Sequence, residues 1–250
     1  MDEAPRRRGT DSANNRWGNT LAILTGDFIF ARLSGILADL GPEAVRLQAV
    51  TFERLVTGQI HETVGPRDGE DAVAHHLQVL ADKTGSLIAA TAQYGAMFAG
   101  LPKSVFEPLA QFGESVGLAF QIADDVLDIA SDAQISGKTP GTDLREGIMT
   151  LPMLLVVAAG RAEDAELLGL LGRPLPSDTD HARALELMRA HPAMKNAQAN
   201  AKKYAEEAIG HLEKVRELSR TEQGFADAAQ VDAIINALQK ICRDTADREV

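Results

Sequence analysis

The chain has 250 residues, 45% of them hydrophobic, and a formal charge of −11. That length is enough for one large domain or two small ones with a sizeable core. The charge argues against general nucleic-acid binding, which wants a basic surface, and the single cysteine, Cys242, excludes an intrachain disulfide or a cysteine zinc site.

Aromatic residues make up only 4% of the chain, while Ala and Leu are abundant, which favours helices over sheets. Residues 1–10 are polar and basic, with Arg6-Arg7-Arg8-Gly9, and lack the apolar core of a signal peptide. From Ser12 the apolar residues Trp17, Leu21, Leu24, Phe28, Ala31 and Gly35 recur at helical steps, and Gly41-Pro42 ends that helix. A second helix is expected over 42–62, then a loop at Gly65-Pro66-Arg67-Asp68-Gly69. A third runs over 70–99 and carries Lys83-Thr84; a fourth, long one runs over 103–132. The turn-rich stretch 136–147 reads as a loop. Short helices follow over 151–160 and 162–171. Three more polar ones, over 178–190, 191–220 and 225–247, alternate in charge as exposed helices do. No period-two strand pattern appears. No apolar run reaches membrane-spanning length; the longest, Leu151 to Ala159, contains Pro152. A reducing, cytoplasmic setting is expected, with membrane contact at most peripheral.

The chemistry concentrates in Gln121-Ile122-Ala123-Asp124-Asp125-Val126-Leu127-Asp128-Ile129. With Asp124 at zero on the helical wheel, Asp128 falls at roughly 40°, Gln121 at roughly 60°, Asp132 at roughly 80° and Asp125 at roughly 100°. The rest of the wheel is apolar. A solvated acidic face is the competing reading, but apolar flanks on every other side favour a buried helix with one acidic stripe. Packed carboxylates resist desolvation unless a cation joins them, and an all-oxygen set suits Mg²⁺ before Zn²⁺.

Other motifs fail. Gly137-Lys138-Thr139 ends like a phosphate loop, but Asp132 stands where its first glycine belongs and no strand precedes it. His61-Glu62 opens like a zinc-protease helix, but Gly65 replaces the second ligand. His75 and His76 are adjacent, point apart on a helix and read as surface residues. Arg7, Arg8, Lys83 and Lys138 sit beside turns or helix ends; with a magnesium stripe they suggest a polyphosphate ligand.

These residues resemble the trans-polyprenyl diphosphate synthases of the geranylgeranyl to heptaprenyl and longer type. The second aspartate motif of that family matches in full: Gln121, Asp124, Asp125 and Asp128, then Gly137-Lys138, the run from Gly141 through Thr142-Asp143-Leu144-Arg145-Glu146 to Gly147, and Thr150-Leu151-Pro152. Lys83-Thr84 and Leu24-Thr25-Gly26-Asp27-Phe28 match as well. The likeness covers residues 1 to roughly 160 well and the later helices loosely. It implies an all-α, isoprenoid-synthase-type helical bundle with a central cavity. It also implies a Mg²⁺-dependent prenyltransferase that joins isopentenyl diphosphate to an allylic diphosphate. Asp124, Asp125 and Asp128 would hold Mg²⁺, with Gln121 alongside. Lys83, Thr84 and Lys138 would grip the allylic diphosphate. Arg7 would contact the allylic and Arg8 the isopentenyl diphosphate. A homodimer, or a heterodimer with a related subunit, is the implied assembly.

The family's first aspartate motif precedes Arg-Arg-Gly by four residues. Arg7-Arg8-Gly9 fit its end and Asp2 its last aspartate, a further metal ligand by resemblance, while the leading aspartates have no counterpart. Ile148 stands where many members have lysine. The resemblance therefore implies one synthase domain over 1–250 that begins inside the first motif and lacks the helices before it. The alternative is a non-catalytic synthase-like subunit that pairs with a complete partner.

Overall fold

The computed structural model describes residues 6–7, 10–131, 140–225 and 227–247. The chain falls into two compact units, Met1–Phe52 and Glu53–Val250.

The first unit opens with β1 (Arg6–Arg7) and β2 (Thr10–Asp11), an antiparallel pair in which Arg6 faces Asp11 and Arg7 faces Thr10. No strand was expected, and two residues are too few to show alternation. The helix expected from Ser12 is two helices, α1 (Ala13–Trp17) and α2 (Asn19–Leu40). Ser12 caps α1 by accepting from the Asn15 N–H at 3.2 Å, and Gly18, at φ 80°, breaks the run. α3 (Pro42–Val64) begins in this unit and passes into the second. Within the first unit, Gln48 Nε2 donates to Ser34 Oγ at 2.8 Å, and the Phe30 and Phe52 rings lie 4.2 Å apart. α2 displays its apolar residues, with Phe28 65% and Ile29 62% exposed. It corrects the expectation that no segment reaches membrane-spanning length: by length and composition α2 could cross a membrane. Asp27 and Arg32 break the apolar run in sequence without removing the helix's apolar character. Core helices of soluble proteins pass the same test.

The second unit is built of helices joined by loops, with no strand among its described residues. α4 (Ala72–Leu80) starts at Asp71, whose carboxylate accepts from the Val73 and Ala74 N–H groups. It runs without a break through a π-helical turn (Ala81–Gly85) into α5 (Ser86–Phe98). α6 (Phe106–Ala130) follows a 3₁₀ turn at Lys103–Val105. Then come α7 (Thr142–Glu146), α8 (Leu151–Ala159), α9 (Ala165–Leu168), α10 (Asp178–Ala190), α11 (Pro192–Thr221) and α12 (Ala228–Ala246). The expected loop over 136–147 thus contains a one-turn helix. Its turn residues are its caps: Gly141 and Gly147 are both left-handed, at φ 68° and 78°.

α6 is the centre of this unit, packed by α5 on one side and α11 on another. Ile122 and Ile129 are fully buried in a core shared with Leu144, Leu151, Met153, Val156 and Met188. Truncating either isoleucine to alanine would cost about 2–5 kcal/mol. Glycine sets the approach of α5 to α6. A Cβ on Gly113 would lie 2.4 Å from the Ala89 backbone, and one on Gly117 2.7 Å from Gly85 Cα. Backbone meets backbone there, about two to three turns before Asp124, so the π turn bearing Lys83 is seated on the acidic helix. At the far end Arg189 donates to the Ile129 and Ser131 carbonyls at 2.8 and 2.6 Å, satisfying acceptors that the end of α6 leaves open.

Candidate functional site

The three motif aspartates occupy one helix but three environments. Asp124 is exposed. The Asp125 side chain is only 12% exposed and faces His76 of α4, with Asp125 Oδ2 and His76 Nε2 3.5 Å apart. Burial pushes the Asp125 carboxyl up, against the opposing pull of His76 and of the Leu151 backbone N–H. Asp128 accepts from the Thr142 N–H at 3.1 Å and the Asp143 N–H at 3.2 Å, so its carboxylate caps α7. Its carboxyl is raised by burial, with those two bonds opposing. Gln121 is half-buried one turn before the pair.

α7 adds a fourth acid. Burial, followed by the nearby Asp128, Asp125, Glu146 and Asp124, pushes the Asp143 carboxyl up to about 7. α7 is held rigidly. The Gly141 carbonyl accepts from His181 Nε2 at 2.9 Å, and the Leu175 N–H donates to the Arg145 carbonyl at 2.8 Å. A Cβ on Gly147 would lie 2.5 Å from the Arg173 backbone.

Lys83 and Thr84 lie in the π turn. Its register is pinned by Asp82, a buried carboxylate that accepts from Arg54 Nε at 3.0 Å and Gln78 Nε2 at 2.9 Å; Arg54 also pairs with Glu114. A Cβ on Gly58 would come within 2.8 Å of Asp82, so α3 touches this turn at a glycine. Lys83 Nζ reaches Glu62 at 2.5 Å and is 30% exposed. Its ammonium is thus held near the surface by a single described carboxylate.

Asp2, Arg8, Lys138 and Asp132 lie outside the described residues, as does the Arg7 side chain. Among the described residues no three His, Cys, Asp or Glu side chains form a ready cation cage. The donor set nevertheless fits a hard divalent ion: it is all carboxylate oxygen, it is partly buried, and Asp125 Oδ2 has no hydrogen-bond partner. Two residues beside this set, His76 and Asp143, were not foreseen. His75 and His76 were expected at the surface, yet their side chains are only 13% and 16% exposed. His75 Nε2 lies 3.1 Å from the His61 carbonyl and His76 faces Asp125. The signal was available, because His76 precedes Lys83 by two helical turns and so shares its face. Asp143 gave no comparable signal, since its apposition to α6 is tertiary.

An all-α bundle centred on a buried acidic helix is the architecture of the isoprenoid synthases. Geranylgeranyl pyrophosphate synthase of Corynebacterium glutamicum, solved with calcium and isoprenyl diphosphate, superposes with a TM-score of 0.77 at 37% identity, over 94% of this chain and 70% of that one. The sequence model described as polyprenyl synthetase matches residues 1–188, and the chain belongs to that family. Nonaprenyl diphosphate synthase of Mycobacterium tuberculosis is 48% identical over 212 residues, 85% of this chain and 63% of that protein. Component 2 of heptaprenyl diphosphate synthase from Geobacillus stearothermophilus is 32% identical, over 85% of this chain and 65% of that protein. The chain therefore spans just under two thirds of these relatives.

Proposed function

We propose that the chain elongates prenyl chains, condensing isopentenyl diphosphate with an allylic diphosphate to give a longer all-trans polyprenyl diphosphate. The observation that carries this is the gathering of Asp124, Asp125, Asp128 and Asp143 on α6 and α7, unpaired with any described lysine or arginine. Such a patch is unfavourable until a cation joins it. Mg²⁺, when bound, would neutralise the leaving diphosphate. Asp124 and Asp125 would hold it, with Asp128 and Asp143 completing the negative field and Gln121 beside them. Lys83, on giving up Glu62, and Thr84 would receive the allylic diphosphate. By family likeness, Lys138, Arg7, Arg8 and Asp2 would add charge and ligands.

In the reaction the allylic C–O bond breaks and the diphosphate leaves with the electron pair. The double bond of isopentenyl diphosphate supplies the electrons of the new C–C bond, and a proton is lost from the adjacent carbon. Charge on the departing diphosphate is what the site must meet, so electrostatic stabilisation is the main term. The synthase names among the relatives favour elongation over a non-catalytic subunit. The exposed apolar row of α2 supports a dimer, with itself or a related subunit. Sedimentation of the purified chain tests that assembly.

The activity is tested with Mg²⁺, farnesyl diphosphate and labelled isopentenyl diphosphate. Labelled, longer prenyl product is expected, and Asp124→Ala should lower its rate about 100- to 1000-fold. A chain that incorporates no label at any Mg²⁺ concentration would overturn the proposal.

A further inference from the structure

His76 and Asp125 stand on different helices and meet through buried atoms. The ring is 16% and the carboxylate 12% exposed, with 3.5 Å between His76 Nε2 and Asp125 Oδ2. Neither atom has a hydrogen-bond partner among the described residues. The distance is longer than a full hydrogen bond, yet it closes with a small turn of either side chain. The backbone N–H of Leu151, where α8 begins, also acts on the Asp125 carboxylate and favours its charged form. α4 is fixed at its start by the Asp71 cap and at its end by the Asp82 anchor, so the ring is carried on a rigid element.

We infer that His76 is the positioning residue for Asp125, its ring and the first turn of α8 holding the carboxylate beside Asp124 in the orientation a divalent cation needs. Groups that orient metal-binding carboxylates without touching the ion commonly govern affinity about 10- to 100-fold. His76 also stands two turns before Lys83 on one continuous helix, so a single element would orient both the metal-binding carboxylate and the diphosphate-binding ammonium. This inference rests on the reading of the acidic stripe as the metal–diphosphate site.

The test measures binding of inorganic diphosphate to the purified full chain by calorimetry across a Mg²⁺ series. His76→Phe keeps a ring and His76→Leu a smaller apolar group; both remove the donor, so a folding failure of one leaves the other. His76→Gln keeps a donor. The donor-less variants should need about 10-fold more Mg²⁺ for the same diphosphate affinity, with little change in the melting temperature of the metal-free chain. His76→Gln should recover most of that loss. A merely structural histidine would instead lower the metal-free melting temperature and leave the Mg²⁺ requirement of the folded fraction unchanged. If wild type takes up diphosphate with Mg²⁺ and the donor-less variants match it, this inference alone is overturned. If wild type takes up none, the reading of the stripe falls and takes the inference with it.

Discussion

Asp164 and Asp143 are both sequestered carboxylates in the same compact unit, and their surroundings are opposite. Asp164 is 6% exposed and accepts from Arg161 Nε and Nη2, both at 2.8 Å, with His191 Nε2 at 3.1 Å. Hydrogen bonding by Arg161 holds its carboxyl down at about 2. Asp143 sits among Asp128, Asp125, Glu146 and Asp124, and its carboxyl is pushed up to about 7. One cluster pairs its charges within the protein; the other gathers carboxylates with no lysine or arginine among the groups acting on Asp143. A fold that keeps the second kind retains a local instability, and binding sites are where such costs persist.

The largest expected effect comes from emptying the carboxylate cluster. The combined changes Asp124→Ala, Asp125→Ala and Asp128→Ala should reduce Mg²⁺-dependent incorporation of isopentenyl diphosphate by at least about 1000-fold. They should also abolish any rise in melting temperature that Mg²⁺ with diphosphate produces. Survival of that rise would move the metal away from α6.

Next is the paired cluster. Asp164→Asn leaves Arg161 and His191 facing a neutral amide and should lower the melting temperature by several degrees at pH 7. Because the folded carboxyl is held below its ordinary 3.8, its stabilisation is present above about 4 and is lost as pH falls through about 2. The gap between variant and wild type should therefore close in acid. A gap that stayed constant from pH 7 to pH 2 would show that packing rather than charge is at work.

Asp143→Asn should do the reverse. The folded carboxyl is raised above 3.8, so its contribution is complete below about 4 and is lost as pH rises through about 7. The metal-free Asp143→Asn variant should gain in melting temperature relative to wild type between pH 5 and pH 8. Identical pH curves for the two proteins would remove Asp143 from the cluster.

The smallest effect is proton release. Near pH 6, part of the Asp143 population must lose its proton when a cation arrives, so Mg²⁺–diphosphate binding should tighten toward pH 8. Calorimetry in buffers of different ionisation enthalpy should detect the released proton for wild type and less of it for Asp143→Asn.

Much of this was legible in the chain. The 3.6-residue period, with Gly41-Pro42 and Gly100-Leu101-Pro102 as breaks, marks most helices within a few residues, because local sterics and burial of one face act through the nearest neighbours. Asp178–Ala190 matches its helix to the residue. Asp124, Asp125 and Asp128 stand out in the sequence because three charges within five residues interrupt an otherwise apolar helix. Other features depend on contacts between distant segments. The π turn at Ala81–Gly85 is pinned through Arg54, which lies 28 residues away in sequence from Asp82. α7 exists because Asp128, 14 residues upstream, caps it, and no period could reveal a helix of five residues. Sequence alone determined which groups carry charge and which helices are apolar. Tertiary structure decided that Asp124 stays exposed, that Asp125 meets His76, that Asp128 is spent on a cap and that Asp143 joins them. A carboxylate's role depends on its dielectric surroundings and its partners, and both are set by helices that meet only in the folded chain.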